Sequence, residues 1–187
     1  MSELCDQLKV SLPAERFEHS LRVSRLAREL AQKWGVDPVK AETAGLLHDC
    51  SRYLDGPGLL ELARELNYKI DPIERYQPKL LHARLAADLA RRDFKIADPE
   101  ILKAIAEHTV GSEDMSALSK VIYLADHMEE GRDFKGVEKI RELAEKDLDQ
   151  AVAESTGQMI RYLLDSEQPI FEGTVRTRNH FLKYAKR

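Results

Sequence analysis

Sulfur, long apolar runs and excess positive charge are all scarce in this 187-residue chain, and each scarcity narrows what it can be. No stretch approaches the roughly 20 consecutive apolar residues that cross a bilayer. The first ten residues interleave Glu3, Asp6 and Lys9 with single apolar side chains, unlike the unbroken apolar core of an export signal. The expectation is a cytoplasmic protein with no membrane partner. Only two cysteines are present, Cys5 and Cys50, and a bridge between them would be rare in a reducing cytosol. Cys50 follows His48 and Asp49, yet no second cysteine stands near it to build a thiolate site, so it reads as a small buried residue. The formal net charge of -4 argues against a nucleic-acid scaffold, whose affinity comes from releasing phosphate counterions, while leaving room for a local basic pocket that holds a nucleotide.

Strand signals are missing as well. No segment alternates apolar and polar residues convincingly, and the β-branched clusters a sheet wants are absent, so the fold is expected to be all α. Pro13 to Trp34 places Phe17, Leu21, Val23, Leu26, Leu30 and Trp34 mostly at helical spacing, with Gly35 as its stop. Asp37-Pro38 supplies an N-cap followed by a proline at the first helical position, and the run Ala41, Ala44, Gly45, Leu46, Leu47 carries a second helix into His48 and Asp49. The same device recurs at Asp71-Pro72 and Asp98-Pro99. Further helices are expected at Leu59 to Leu66, Leu80 to Arg91, Glu100 to His108, Met115 to Glu129, Val137 to Glu145, Leu148 to Leu164 and Thr174 to Ala185. Gly56-Pro57-Gly58, Gly111-Ser112 and Gly131 to Gly136 read as loops too short to be interdomain linkers. One compact helical bundle over 1–187 follows, with a core of about 16–148 and a C-terminal helical extension. Dimerisation through an exposed helix stays open, since no sustained heptad marks a face.

Ionisable residues stand where the core should be. His19 shares a helical stripe with Val23, Leu26 and Leu30; His48 and Asp49 end the apolar run of the second helix. His108 falls in line with Ile101, Ala104 and Ile105, and Asp126 with Leu118 and Ile122. A single histidine on an apolar face is more often a hydrogen-bonded core residue than a ligand, but recurrence changes that reading. Burying a carboxylate without partners costs several kcal/mol or neutralises it, so two such aspartates demand an explanation. A shared cation supplies one, and imidazole nitrogen with carboxylate oxygen suits zinc, iron or manganese, leaving positions open for water. Adjacent His48 and Asp49 cannot both point along one helical face, so the helix should end or bend there.

The order His19, His48-Asp49, Asp126 resembles the H…HD…D signature of the HD-domain metallophosphohydrolases, an all-helical superfamily acting on nucleotides. Glu18-His19-Ser20-Leu21, Gly45-Leu46-Leu47-His48-Asp49, Ala104 to Gly111 and Tyr123-Leu124-Ala125-Asp126 are similar to phrases of its YqeK branch, over about Arg16 to Leu148. Two positions depart from that branch: Ala83 follows His82 where glycine is common, and Met128-Glu129-Glu130 replaces an Ile-Glu-Pro phrase. The resemblance implies a symmetrical diadenosine tetraphosphate hydrolase, splitting its dinucleotide into two ADP, with iron as the usual metal and manganese or zinc acceptable to the same donors.

On that basis His19, His48, Asp49 and Asp126 are expected to hold the first metal, which lowers the pKa of a water to supply hydroxide near neutral pH, with Asp49 also orienting the nucleophile. His82 and His108 are expected either to hold a second metal or to contact phosphate oxygens. Arg16 and Arg132 are candidates for gripping phosphate bidentately. Thr109 and Gly111 are candidates for hydroxyl and backbone donors, and the basic stretch Thr174 to His180, with Arg176, reads either as a solvated terminal helix, the favoured reading, or as a cover for the base. Glu129 is placed either against Arg132 or against a ribose. Alternatives are another HD nucleotide phosphohydrolase, such as a monophosphatase or an alarmone hydrolase, or a non-catalytic nucleotide sensor.

Overall fold

Aspartate-proline pairs start helices wherever they occur. Asp37 accepts hydrogen bonds from the amides of Val39 and Lys40 ahead of α3 (Pro38–Leu47), Asp98 accepts from Glu100 N ahead of α7 (Pro99–Glu107), and Asp71 forms a reciprocal capping box with Glu74 over α5 (Pro72–Tyr76). Each cap satisfies amides that a helix start leaves orphaned, and proline sits where its missing N–H is no loss. The computed structural model describes residues 2–184, and no strand occurs among them. The other helices are α1 (Ser2–Ser11), α2 (Ala14–Trp34), α4 (Gly56–Glu65), α6 (His82–Arg92), α8 (Ala117–Met128), α9 (Val137–Ala144), α10 (Leu148–Asp165) and α11 (Glu172–Tyr184), with a 3₁₀ turn at Pro78–Leu81. The expected end of the last helix at Ala185 lies outside the described residues.

Two readings need correction. Gly56-Pro57-Gly58 is the first turn of α4 rather than a loop, because Asp55 accepts the Gly58 amide and Pro57 occupies a position with no N–H to lose. The helix expected from Leu80 begins at His82 instead, after the 3₁₀ turn. In addition, Ser2–Ser11, for which no helix was expected, form α1, which buries Leu8 and, just beyond it, Leu12.

Packing follows from the apolar stripes. Helix α2 lies along α3 and α8, α7 bridges α3, α6 and α8, and α10 packs on α8, α9 and α11. Gly45 is what lets α3 approach α2 so closely: a Cβ there would stand 2.9 Å from Ser24 Cα. Between these helices Leu46, Leu47, Leu85, Ile105, Ile122 and Leu124 are wholly buried, each contributing roughly 1.5–3 kcal/mol of transfer free energy. Among the described residues no helix is long and apolar enough to cross a membrane.

Candidate metal centre

The same helices that close the core end at one polar spot. His19 comes from the second turn of α2, His48 and Asp49 from the turns that follow α3, His82 from the first residue of α6, His108 from just past α7, and Asp126 from the last turn of α8. As the adjacency of His48 and Asp49 requires, α3 stops at Leu47 and a run of turns takes over. Cys50 and Ser51 pin that run to α6, the thiol donating to Ala86 O at 3.3 Å and the hydroxyl to His82 O at 2.9 Å. Cys50 is therefore packing, and burial pushes its thiol up, away from the thiolate form.

The imidazoles form a chain of edge-to-face rings, His19 to His48 at 5.2 Å between centroids, His48 to His108 at 4.8 Å and His108 to His82 at 4.9 Å. Their Nδ1 atoms all face outward to acceptors. His48 Nδ1 donates to Gly45 O and His108 Nδ1 to Ile105 O, each at 2.7 Å, His82 Nδ1 donates to Lys79 O, and His19 Nδ1 donates to Glu129 Oε1 at 3.2 Å. With the proton on Nδ1, every Nε2 carries a lone pair toward the interior of the cluster.

Those lone pairs meet other lone pairs. His19 Nε2 approaches Asp126 Oδ1 to 3.0 Å, His82 Nε2 approaches His108 Nε2 to 3.0 Å and Asp49 Oδ1 to 3.3 Å, and His48 Nε2 lies 3.8 Å from carboxylate oxygens of both aspartates. The buried Nε2 atoms of His19 and His48 make no hydrogen bond at all. Acceptors crowded at such distances repel unless positive charge is shared among them, and buried orphans of this kind call for a missing partner. Two overlapping sets of donors, His19–His48–Asp126 and His48–Asp49–His108, each converge closely enough to hold an ion. The donor set therefore fits a divalent metal, with nitrogen and oxygen ligands and no thiolate.

Electrostatics agree. Burial pushes the His48 imidazolium down to about 4, against the pull of Asp49, so the ring is neutral near pH 7. Burial would raise the Asp49 carboxyl, but the surrounding imidazoles of His48, His108 and His82 outweigh it and hold it well below the usual carboxylate range. Asp126 is likewise held well below that range, its desolvation overcome by His19, His48 and Arg132. His108 goes the other way: desolvation lowers it, but Asp49 and Asp126 more than compensate, so it takes up a proton more readily than a free imidazole.

Guanidinium groups rim the cluster. Arg16 Nη1 stands 3.5 Å from Asp49 Oδ2, and Arg132 donates to Asp126 Oδ1 at 2.5 Å and to Asp126 O at 2.8 Å. Sequence reasoning missed a third, Arg52, whose Nε lies 3.8 Å from Asp49 Oδ2; its position one helical turn after Asp49 was the available signal. Glu129 does face Arg132, whose Nε lies 3.9 Å from its Oε1, as expected; its contact with His19 is the part that the sequence does not announce. Thr109 reaches the cluster, its hydroxyl 3.1 Å from His82 Nε2. Gly111 does not supply the backbone donor expected of it, because its N–H is already given to Glu107 O at 2.9 Å. Arg176 sits exposed on α11 and pairs with Glu172 one turn back. His127 donates to Tyr123 O at 2.8 Å and stacks on that ring, a structural role.

Comparison with known proteins agrees with this geometry. Residues 16–131 match the HD-domain family model. The chain is 39% identical to the symmetrical bis(5'-nucleosyl)-tetraphosphatase of Halalkalibacterium halodurans, covering 94% of this chain and 93% of that one. It is 36% identical to the protein of the same name from Bacillus subtilis, with 92% of each covered. The crystal structure of an HD-superfamily hydrolase from Clostridium acetobutylicum, described as involved in NAD metabolism, superposes with a TM-score of 0.94 at 34% identity, over 98% of this chain and 97% of that one.

Proposed function

The chain belongs to the HD-domain family, and on that footing we propose that it hydrolyses a dinucleoside polyphosphate symmetrically, converting diadenosine tetraphosphate to two ADP. The observation that carries the reading is the inward convergence of imidazole and carboxylate lone pairs inside a rim of arginines. His19, His48, Asp49 and Asp126 would hold the ion, with His82 and His108 turned to a second ion or to phosphate. Iron is the ion we propose. A bound divalent metal supplies Lewis acidity for activating water and countercharge for phosphate oxygens.

The chain's own residues do the rest. Asp49, ionised and facing His82, His108 and Arg16, is placed to accept a hydrogen bond from an attacking water and so orient it toward phosphorus. His108, the ring most ready to be protonated, would present N–H to phosphate oxygens as charge builds, while His82, steadied by the Thr109 hydroxyl, would turn its Nε2 lone pair to a second ion. Arg16, Arg52 and Arg132 answer a polyphosphate's negative charge with planar donors suited to bidentate grip. In-line displacement at an inner phosphorus releases ADP, a leaving group acidic enough to depart with little proton donation. These roles also fit the exposure of Arg16 and Arg132, which are more open to solvent than the buried His19, His48 and Asp49 and the half-buried Asp126.

The test is product analysis. Purified protein loaded with iron without oxygen should convert diadenosine tetraphosphate to ADP alone. AMP plus ATP would contradict symmetrical cleavage, and absence of turnover would move the choice to another nucleotide, a monophosphate or an alarmone among them.

A further inference from the structure

The histidines of the cluster are not held alike. His48, His82 and His108 each sit at a helix end and give Nδ1–H to a neutral backbone carbonyl three residues earlier. His19 lies inside α2, where the preceding carbonyls already pair with helix amides. Its acceptor is instead a carboxylate from 110 residues away, Glu129, just past α8.

Glu129 is built into place. It is 2% exposed, and besides His19 it accepts from Arg22 Nε at 2.6 Å and from the Gly131 amide at 2.6 Å. Gly131 makes this possible, since a Cβ there would stand 3.0 Å from Glu129 Oε2 and 3.1 Å from Arg22 Nε. The segment is clamped from behind by Arg141 of α9, which donates to the carbonyls of Met128, Glu129 and Arg132 at 3.0 Å each. A carboxylate with this many donors has one lone-pair direction to offer His19 and little freedom to swing away.

We propose that Glu129, fixed by Arg22 and Gly131, is a positioning residue that sets the tautomer and ring orientation of His19 and strengthens the centre's hold on a divalent cation. A charged acceptor behind one imidazole makes that ring a better donor than rings backed by carbonyls, and removal of such an outer partner typically costs 10–100-fold in metal affinity. The proposal rests on the metal reading above and is independent of the nucleotide.

Mn2+ binding to the full chain, followed by electron paramagnetic resonance, tests it together with the ring 15N shifts of His19 in metal-free protein. Glu129→Gln keeps the shape and one acceptor but loses the charge. The expected result is unchanged helix content, Mn2+ affinity lower by about 10–100-fold, and His19 shifts moving toward a mixture of tautomers. Arg22→Met loosens the carboxylate without touching it or His19, and should give a smaller loss in the same direction. Folded Glu129→Gln protein with wild-type Mn2+ affinity and wild-type His19 shifts overturns the positioning role. Should that variant not fold, the same unchanged pair of readings in Arg22→Met overturns it. A wild-type chain that binds no Mn2+ overturns the metal reading and this proposal with it, a failure distinct from wild-type binding that Glu129→Gln leaves intact.

Discussion

The apolar interior and the histidine cluster are made from the same helices, often from consecutive residues. Leu47 and His48 are neighbours and both wholly buried; Ala125 precedes Asp126, and Ile105 precedes His108 by one turn. On the apolar side of each helix, burial removes hydrocarbon from water and stabilises the fold. On the other side it strips water from imidazoles and carboxylates that face each other across 3.0–3.8 Å, which opposes folding until a cation joins them. One end of the bundle contributes stability, the other holds chemistry at stability's cost, and substitutions should separate the two.

The largest separation is expected from Asp49→Ala. Removing the carboxylate that faces His82, His108 and Arg16 should lower turnover of diadenosine tetraphosphate by roughly a thousandfold or more, while circular dichroism shows the helices intact. Loss of helicity together with the metal would instead make the cluster a structural staple, and the contrast with the core would vanish. Leu89→Ala is the mirror experiment, on the helix that His82 begins. Truncating this 2% exposed side chain should cost about 2–5 kcal/mol in denaturant unfolding, with kcat per folded molecule unchanged.

A smaller effect comes from protons. In metal-free protein His48 has a folded pKa of about 4, against roughly 6.5 when unfolded. Between those values the unfolded chain binds a proton that the native state refuses, so stability falls as pH drops through this window, by on the order of 2–3 kcal/mol. His82, also lowered chiefly by burial, acts in the same sense. His108, raised by its aspartate neighbours against desolvation, opposes it: its contribution is complete below its unfolded pKa and is lost as pH rises through the folded one. Asp49 and Asp126, both held low, add a further loss only below the ordinary carboxylate range. Urea unfolding of chelated protein from pH 7 to pH 4 should show the decline, flatter in His48→Gln. An equally steep decline in that variant would remove His48 as its source.

Local chemistry made the core's half of this contrast the more legible half. Caps at Asp37, Asp71 and Asp98 act within three residues, so the sequence alone announces them. Helix α1 is harder to read, its only mark being Leu4, Leu8 and Leu12 at every fourth residue, and Pro57 between two glycines looks like a breaker although a helix's first turn tolerates it. At the cluster, the ionisable residues stood out because each interrupts an apolar stripe. Their supports did not: Glu129 meets His19 across 110 positions, and the engagement of Gly111 N with Glu107 O depends on how one helix frays. Long-range pairing of polar groups leaves no periodicity to read.

The smallest effect probes the border between the two regions. Helix α11 lies beyond the segment matching the family model, yet the wholly buried Thr177 donates from its hydroxyl to Val110 O at 3.0 Å, and its methyl would crowd any side chain at Gly111. Gly111 has φ +69, a conformation that favours glycine, so the C-terminal helix holds the loop following His108 and Thr109 in a shape other residues resist. Thr177→Val keeps the volume and deletes the donor, leaving a carbonyl short of a partner at a cost of about 1–2 kcal/mol. Because Thr109 hangs from that loop and touches His82, while His19, His48 and Asp126 are carried elsewhere, KM should rise a few-fold with kcat unchanged. A parallel fall in kcat would mean that the loop governs the donors themselves, and the border between scaffold and chemistry would have to be drawn on the far side of α11.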